Sequence, residues 1–260
     1  MNLAASLLHT ILVHMKLSIA RPMFKFIIWI SPLFYSTLAI FIYGKDSTET
    51  LFQYVVLGSG FMALWSSIVF SSASDVNRER FYGTLEIIFI SPVPFAVTLT
   101  GKIIANTLWG LISMILSFVY LKFVFQLDLV FHHPWVFLTA LLSVLLSLAV
   151  FSFFLALAFT LSRQAEALMN FIEYPIYLIC GFLFPISYLP AWVQGISYVL
   201  PPTWAIQLLR DVTTETLSSQ TVLISFTALV SLTLLYILFG MYFYRLMDKK
   251  ARFHGKLGVY

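Results

Sequence analysis

Two glutamates, Glu166 and Glu173, stand in an apolar run, where an ionisable side chain is expensive to keep and therefore informative. Seven residues separate them, so on a helix they share nearly one face, with Arg163 and Asn170 close to it. Arg163 and Glu166 sit near the start of the run, where a charge reaches water easily. Glu173, followed by Tyr174 and Pro175, lies deeper. Such a carboxylate could line a polar path with Tyr174 and Tyr177, favour a cationic ligand, meet a partner subunit, or make a structural hydrogen bond to a neighbouring helix.

Other residue types that could do chemistry lack the spacing for it. Gly101-Lys102 is not a phosphate-binding loop: Ala96 stands where the earlier glycine belongs, and Ile103 follows where Ser or Thr would bind magnesium. The bland reading is a helix interior with Lys102 snorkelling to the headgroups. His132 and His133 are adjacent, but no cysteine or carboxylate cluster completes a metal set, so a solvated loop is expected. No Gly-x-Ser-x-Gly elbow and no His-Glu-x-x-His pair occurs. The single cysteine, Cys180, reads as a small buried hydrophobe. Scattered basic residues give no nucleic-acid surface.

The elements that hold these residues are set by composition. Of 260 residues 60% are hydrophobic and only 10% charged, with a mean hydropathy of +0.94. A soluble domain carries about 25% charged residues. The expected fold is an all-α polytopic membrane protein. A span needs roughly 20 apolar residues, and six fit: 25–43, 52–72, 96–122, 135–161, 166–186 and 221–244. Residues 1–22 are expected to form an interfacial helix on the cytoplasmic surface, closed by Arg21-Pro22. Residues 23–244 make the membrane domain, and 245–260 a basic cytoplasmic tail. With both termini inside, 12 of the 15 lysines and arginines face the cytoplasm and 3 (Lys45, Lys122, Arg210) face out. The positive-inside rule selects that orientation.

The longest patterned interruption is DVNRERFYGTLEIIFISPVPFAVTLTGK, residues 75–102. At 100° per residue Asp75, Tyr82, Gly83 and Glu86 fall near Glu79, while Phe81, Leu85, Ile88 and Phe89 gather elsewhere. This predicts an amphipathic interfacial helix, apolar stripe down and acidic face toward water. Gly83 marks an elbow. Ser91-Pro92 reads as the N-cap and first position of the next helix. Farther on, Pro185, Pro190, Pro201 and Pro202 interrupt apolar sequence, which predicts short re-entrant or interfacial helices near the outer face. Tyr188, Trp192, Tyr198 and Trp204 would sit at headgroup level.

The string RERFYGTLEIIFISPVP…GK resembles the cytoplasmic loop of ABC-2 type transporter permeases, the membrane subunits of ATP-driven exporters. Glu79, Arg80, Gly83, Thr84, Leu85, Glu86, Ser91, Pro92, Gly101 and Lys102 carry the match. GFLFPISYLPAWVQGISYVLPPTWAIQLLRD resembles the segment after that family's fifth span, through Gly181, Pro185, Leu189, Pro190, Pro201 and Arg210. The resemblance implies a permease subunit without a nucleotide site of its own. It also implies a separate cytoplasmic ATPase carrying ATP and Mg2+, and a second permease copy or homologue completing a dimer. The 75–91 stretch would be the coupling element, Glu79, Arg80 and Glu86 meeting the ATPase while Phe81, Leu85 and Ile88 grip the neighbouring spans. Glu173, Tyr174 and Tyr177 become candidates for the translocation path. The expected cargo is an amphipathic drug, antibiotic, peptide or lipid-like molecule; a polysaccharide or lipid-linked glycan is the alternative. The location implied is the plasma or inner membrane. From other classes, a stand-alone intramembrane enzyme or scaffold would need catalytic groups that the sequence does not display. An ion-driven carrier would show an internal repeat.

Overall fold

The computed structural model describes residues 3–44, 51–129, 131–160 and 165–254. No strand occurs among them. Ten helices follow in order: α1 (Leu3–Ile19), α2 (Pro22–Tyr43), α3 (Leu51–Phe81), α4 (Thr84–Ile90), α5 (Phe95–Val124), α6 (Pro134–Thr160), α7 (Ala165–Ile179), α8 (Ala191–Val199), α9 (Pro201–Asp211) and α10 (Ser219–His254). Five of them, α2, α3, α5, α6 and α10, are long and apolar enough to cross a membrane. They match the first, second, third, fourth and sixth spans expected from sequence.

The fifth expected span, 166–186, is not one continuous helix. α7 ends at Ile179, and Gly181 adopts the left-handed conformation at φ 71°. Fifteen residues of helix rise only about 22 Å, short of the roughly 30 Å of a bilayer core. α7 nevertheless runs antiparallel to α3 at mid-helix depth. Its Glu173 and Tyr177 meet Ser66, and the Phe182 carbonyl beyond its end lies against Gly58. A Cβ at Gly58 would come within 2.4 Å of that carbonyl oxygen, so only glycine permits this approach.

α3 is the central helix. Phe61, Leu64, Trp65 and Ile68 are fully buried and pack with Phe182, Phe151 and Met114 from the surrounding elements. In α2, Pro32 has no amide hydrogen for the Ile28 carbonyl four residues back, and the turns at Phe26–Ile30 widen. The Ser113 hydroxyl of α5 donates to that carbonyl instead, at 3.3 Å. α1 is inverted relative to a soluble amphipathic helix. His14 and Ser18 are buried, while Leu8, Leu12, Val13 and Leu17 are exposed. Its inner face crosses α5 at Gly101, where Thr10 packs closely.

The charged stretch departs from the expected layout. Residues 75–81 are the last turns of α3 rather than a separate interfacial helix. The elbow stands where expected: Gly83 has φ 68°, and α4 starts directly after it.

Candidate functional site: a charged elbow and a carboxyl in the helix bundle

The end of α3 carries Asp75, whose side chain is 0% exposed. Its Oδ1 accepts from Arg21 Nη1 at 2.8 Å and Arg78 Nη2 at 2.9 Å. Its Oδ2 accepts from His14 Nε2 at 2.7 Å and Asn106 Nδ2 at 3.2 Å. Four donors from α1, the α1–α2 junction, α3 and α5 thus close on one carboxylate. Ser18 supports the cluster by accepting from Arg21 Nη2 at 2.7 Å, and Ser72 accepts from Asn106 at 3.1 Å. Asp75 therefore points inward, contrary to the acidic, water-facing stripe expected of it, because α1 and the start of α2 cover that face.

One turn later Glu79 forms an ion pair with Lys102 of α5. Lys102 is buried and turned onto Glu79 rather than extended to the headgroups. Gly101-Lys102 lies inside a helix, its glycine against Thr10 and its lysine committed to Glu79, so this pair cradles no phosphate.

Of the residues expected to grip the spans, Leu85 is buried beside Leu99, Ile103 and Leu157, and Ile88 packs against that cluster. Phe81 does not: it is 77% exposed, alongside Tyr82, Ile87 and Ile90. The elbow thus shows an uncovered apolar surface. Arg80 is half-buried, and Thr84 donates to the Glu79 carbonyl at 3.2 Å. The Glu86 side chain lies outside the described residues. Ser91 is not the N-cap of the next helix. Its amide bonds back to Ile87 and Ile88, and its hydroxyl donates to the Ile88 carbonyl at 2.8 Å, which closes α4. Pro92 follows in the irregular link, and α5 begins at Phe95 after Pro94.

The comparison with known families decides what this arrangement belongs to. The model for ABC-2 family transporter proteins matches residues 35–242. The chain belongs to the ABC-2 transporter family. No curated protein matches it. An ABC-2 permease is a membrane transport component rather than a catalyst, and works with an ATP-binding subunit. With its apolar helices, this one is a multi-pass membrane protein. The matched region of the permease holds Asp75, Arg78 and Asn106, whereas His14 and Arg21 precede it. The buried junction therefore ties the α1–α2 corner onto the family's own helices. Spacing contained a signal for it: His14 and Ser18 share one face of a leucine-rich helix, and Arg21 follows three residues later, just past its end.

The second polar group of the permease lies between α2, α3 and α7. Glu173 Oε1 accepts from Ser66 at 2.6 Å and from Tyr177 at 2.8 Å. The Ser66 and Tyr177 hydroxyls stand 2.5 Å apart, and Tyr35 approaches both at 3.5 and 3.4 Å. Tyr177 is buried, whereas Tyr174 is 64% exposed on the open face of α7 with Phe171 and Leu178. Sequence placed Tyr174 and Tyr177 beside Glu173 but gave no hint of Ser66 and Tyr35. Arg163, and the side chains of Glu166 and Asn170, lie outside the described residues.

The proline-rich segment forms the third region. Pro185 precedes a short turn at Ile186–Tyr188, Pro190 caps α8, and Pro201 opens α9. Arg210 holds this segment. It donates to the carbonyls of Gly181 (2.9 Å), Phe182 (2.7 Å) and Gln53 (3.2 Å), and lies 4.2 Å over the Tyr54 ring. Counted from sequence as an outer-surface cation, Arg210 is instead buried and satisfies carbonyls that the end of α7 leaves free.

Proposed function

We propose that this chain is the permease subunit of an ABC exporter for an amphipathic drug, antibiotic, peptide or lipid-like molecule. A separate cytoplasmic ATPase would drive it, and a second permease copy or homologue would complete the conduit. ATP and Mg2+ belong on the partner. In this reading both termini are cytoplasmic and α7, with the irregular segment after it, serves as the fifth of six spans in the plasma or inner membrane. The α8–α9 segment, with Pro185, Pro190 and Pro201, lies as short re-entrant helices at the outer face.

The observation that carries the reading is the wiring of the elbow. An ATPase seated on Phe81, Tyr82, Ile87 and Ile90, with Arg80 and Glu86 at the contact, would push on α4. Leu85 would pass that push to the α5–α6 cluster, and Glu79 to Lys102. Asp75 would pass it to α1 and α2 together. Gly83 sets the angle between α3 and α4, Thr84 ties the elbow to the Glu79 carbonyl, and Ser91 and Pro92 end the lever. Because packed helices shift between discrete arrangements rather than deform smoothly, a push at one corner would reorient several spans at once.

Co-expression with the ATPase, followed by affinity purification and an efflux panel, tests the assignment. A chain bearing a phosphate-binding loop should co-purify. Glu86→Lys should abolish efflux while membrane insertion persists; unchanged efflux would remove the elbow from coupling.

A further inference from the structure

The ring of oxygens at Glu173 has a proton count that does not balance when the carboxyl is ionised. Glu173 Oε1, Ser66 Oγ and Tyr177 Oη form a triangle with edges of 2.6, 2.8 and 2.5 Å. Edges this short each need a hydrogen between the oxygens. The serine and the tyrosine bring one each, and an ionised carboxylate brings none. Tyr35 stands outside the triangle, on the longer contacts, so its hydrogen fills none of the three edges. With the carboxyl ionised, both hydroxyls donate to Oε1 and the Ser66–Tyr177 edge is left without a hydrogen. A carboxylic acid supplies the third, its O–H reversing one of the two Glu173 edges so that the donors run head to tail around the ring.

Among the described residues the surroundings bring no opposite charge. From α2 the facing group is Tyr35, and Lys25 lies ten residues earlier, about 15 Å along the helix. From α3 it is Ser66; the cations of that helix, Arg78 and Arg80, lie twelve and fourteen residues farther on, and Arg78 is paired with Asp75. α6 has no ionisable side chain, and α8 has only Tyr198. On α7 itself Tyr174 and Tyr177 are neighbours, their rings at right angles, and Glu166 stands seven residues earlier with its side chain outside the described residues. Glu173 is half-buried, and beside it α7 leaves Phe171 and Tyr174 uncovered.

We infer that Glu173 is a proton-binding acid in the membrane domain, and that its exchangeable ligand is a lipophilic organic cation with an aromatic body. The exchange balances simply. The cation approaches over the Tyr174 and Phe171 rings, whose faces attract positive charge. The carboxyl O–H breaks, its proton leaves to the medium, and the carboxylate neutralises the cation. Only the use of this site for export rests on the transport reading; the binding does not.

The experiment uses the full chain in lipid nanodiscs, without the ATPase, and tetraphenylphosphonium as the probe. Titration calorimetry in buffers of different ionisation enthalpy counts the protons released. About one proton per cation should appear, with an affinity that rises with pH because proton and cation compete. Infrared difference spectra should show a protonated-carboxyl band that vanishes on binding. Glu173→Gln should lack the band, release no proton and bind the cation about tenfold or more weakly. Triphenylphosphine oxide, uncharged, should bind both forms alike and release nothing. A cation that binds without proton release, or binds Glu173→Gln equally well, overturns the inference, as does a wild-type chain without the band. Should binding behave as expected while the ATPase-loaded complex expels no cation, the transport reading fails and the site stands.

Discussion

Asp75, buried, and Glu173, half-buried, are carboxyls held in opposite ways. Asp75 receives four donors, two of them guanidinium groups, drawn from four places in the chain. Glu173 meets two hydroxyls on one oxygen and, among the described residues, no cation. A carboxylate saturated by fixed cations is a joint: it locks helices together and has no free valence for a ligand. A carboxyl held by hydroxyls alone keeps its charge uncompensated, so it exchanges protons or cations. In the proposed reading, the first suits the end of the bundle where an ATPase would push, and the second an interior where cargo would pass.

The sharpest way to break this contrast is to remove the joint. Asp75→Ala leaves Arg21, Arg78 and His14 crowded in a buried space without their anion. Removing one partner of a buried ion cluster costs about 3–5 kcal/mol. The expected result is a large drop in thermal unfolding midpoint in detergent and faster proteolysis near the α1–α2 corner. A stable Asp75→Ala chain would mean that the cluster is incidental to the fold.

Arg210→Lys comes next. A lysine cannot span three carbonyls with a planar fork, so those of Gly181, Phe182 and Gln53 compete for one ammonium. A loss of about 1–3 kcal/mol follows from leaving buried acceptors poorly satisfied. Cysteine accessibility along 181–190 should rise with it. If it does not, the segment after α7 is held by its prolines alone.

Gly83→Ala is a smaller change with a cleaner cause. No heavy atom lies within 4 Å of the added Cβ, so sterics with the rest of the protein contribute nothing. The left-handed backbone at φ 68° costs a residue with a side chain about 1–2 kcal/mol. The unfolding midpoint should fall slightly, and coupling to the ATPase more, since the elbow angle would relax.

These contrasts show what was legible in the residues. Hydropathy found the five long helices, and a lone glycine in a charged stretch marked the elbow. The polarity of DVNRER hid the fact that α3 runs on through it, because helix continuity does not depend on hydropathy. The helical wheel put Asp75 and Glu79 on one face correctly but could not say which way that face turned. Its cover, Arg21, lies 54 residues upstream. In the same way the length of apolar sequence suggested a full span at 166–186, while the break at Gly181 is stabilised by Arg210, 29 residues on. Local pattern gives elements and faces; the partners that decide inside from outside come from far along the chain.

The smallest expected effect is the most telling, because it applies the same chemical change to both carboxyls. Converting an acid to its amide replaces one oxygen by an NH2 group of similar size. At Asp75, Asn would remove the anion that pairs with Arg21 and Arg78 and turn an NH2 toward groups that are themselves donors, so Asp75→Asn should destabilise nearly as much as the alanine. At Glu173, Gln imitates the neutral acid. With its NH2 in the place of Oε1 it donates one hydrogen to Ser66 and one to Tyr177, one of the two hydroxyls spans the third edge, and every edge keeps a hydrogen. Glu173→Gln should therefore unfold within about 0.5 kcal/mol of the wild-type chain at neutral pH. A large loss there would mean that the ring needs an anion, and the difference between the two carboxyls would disappear.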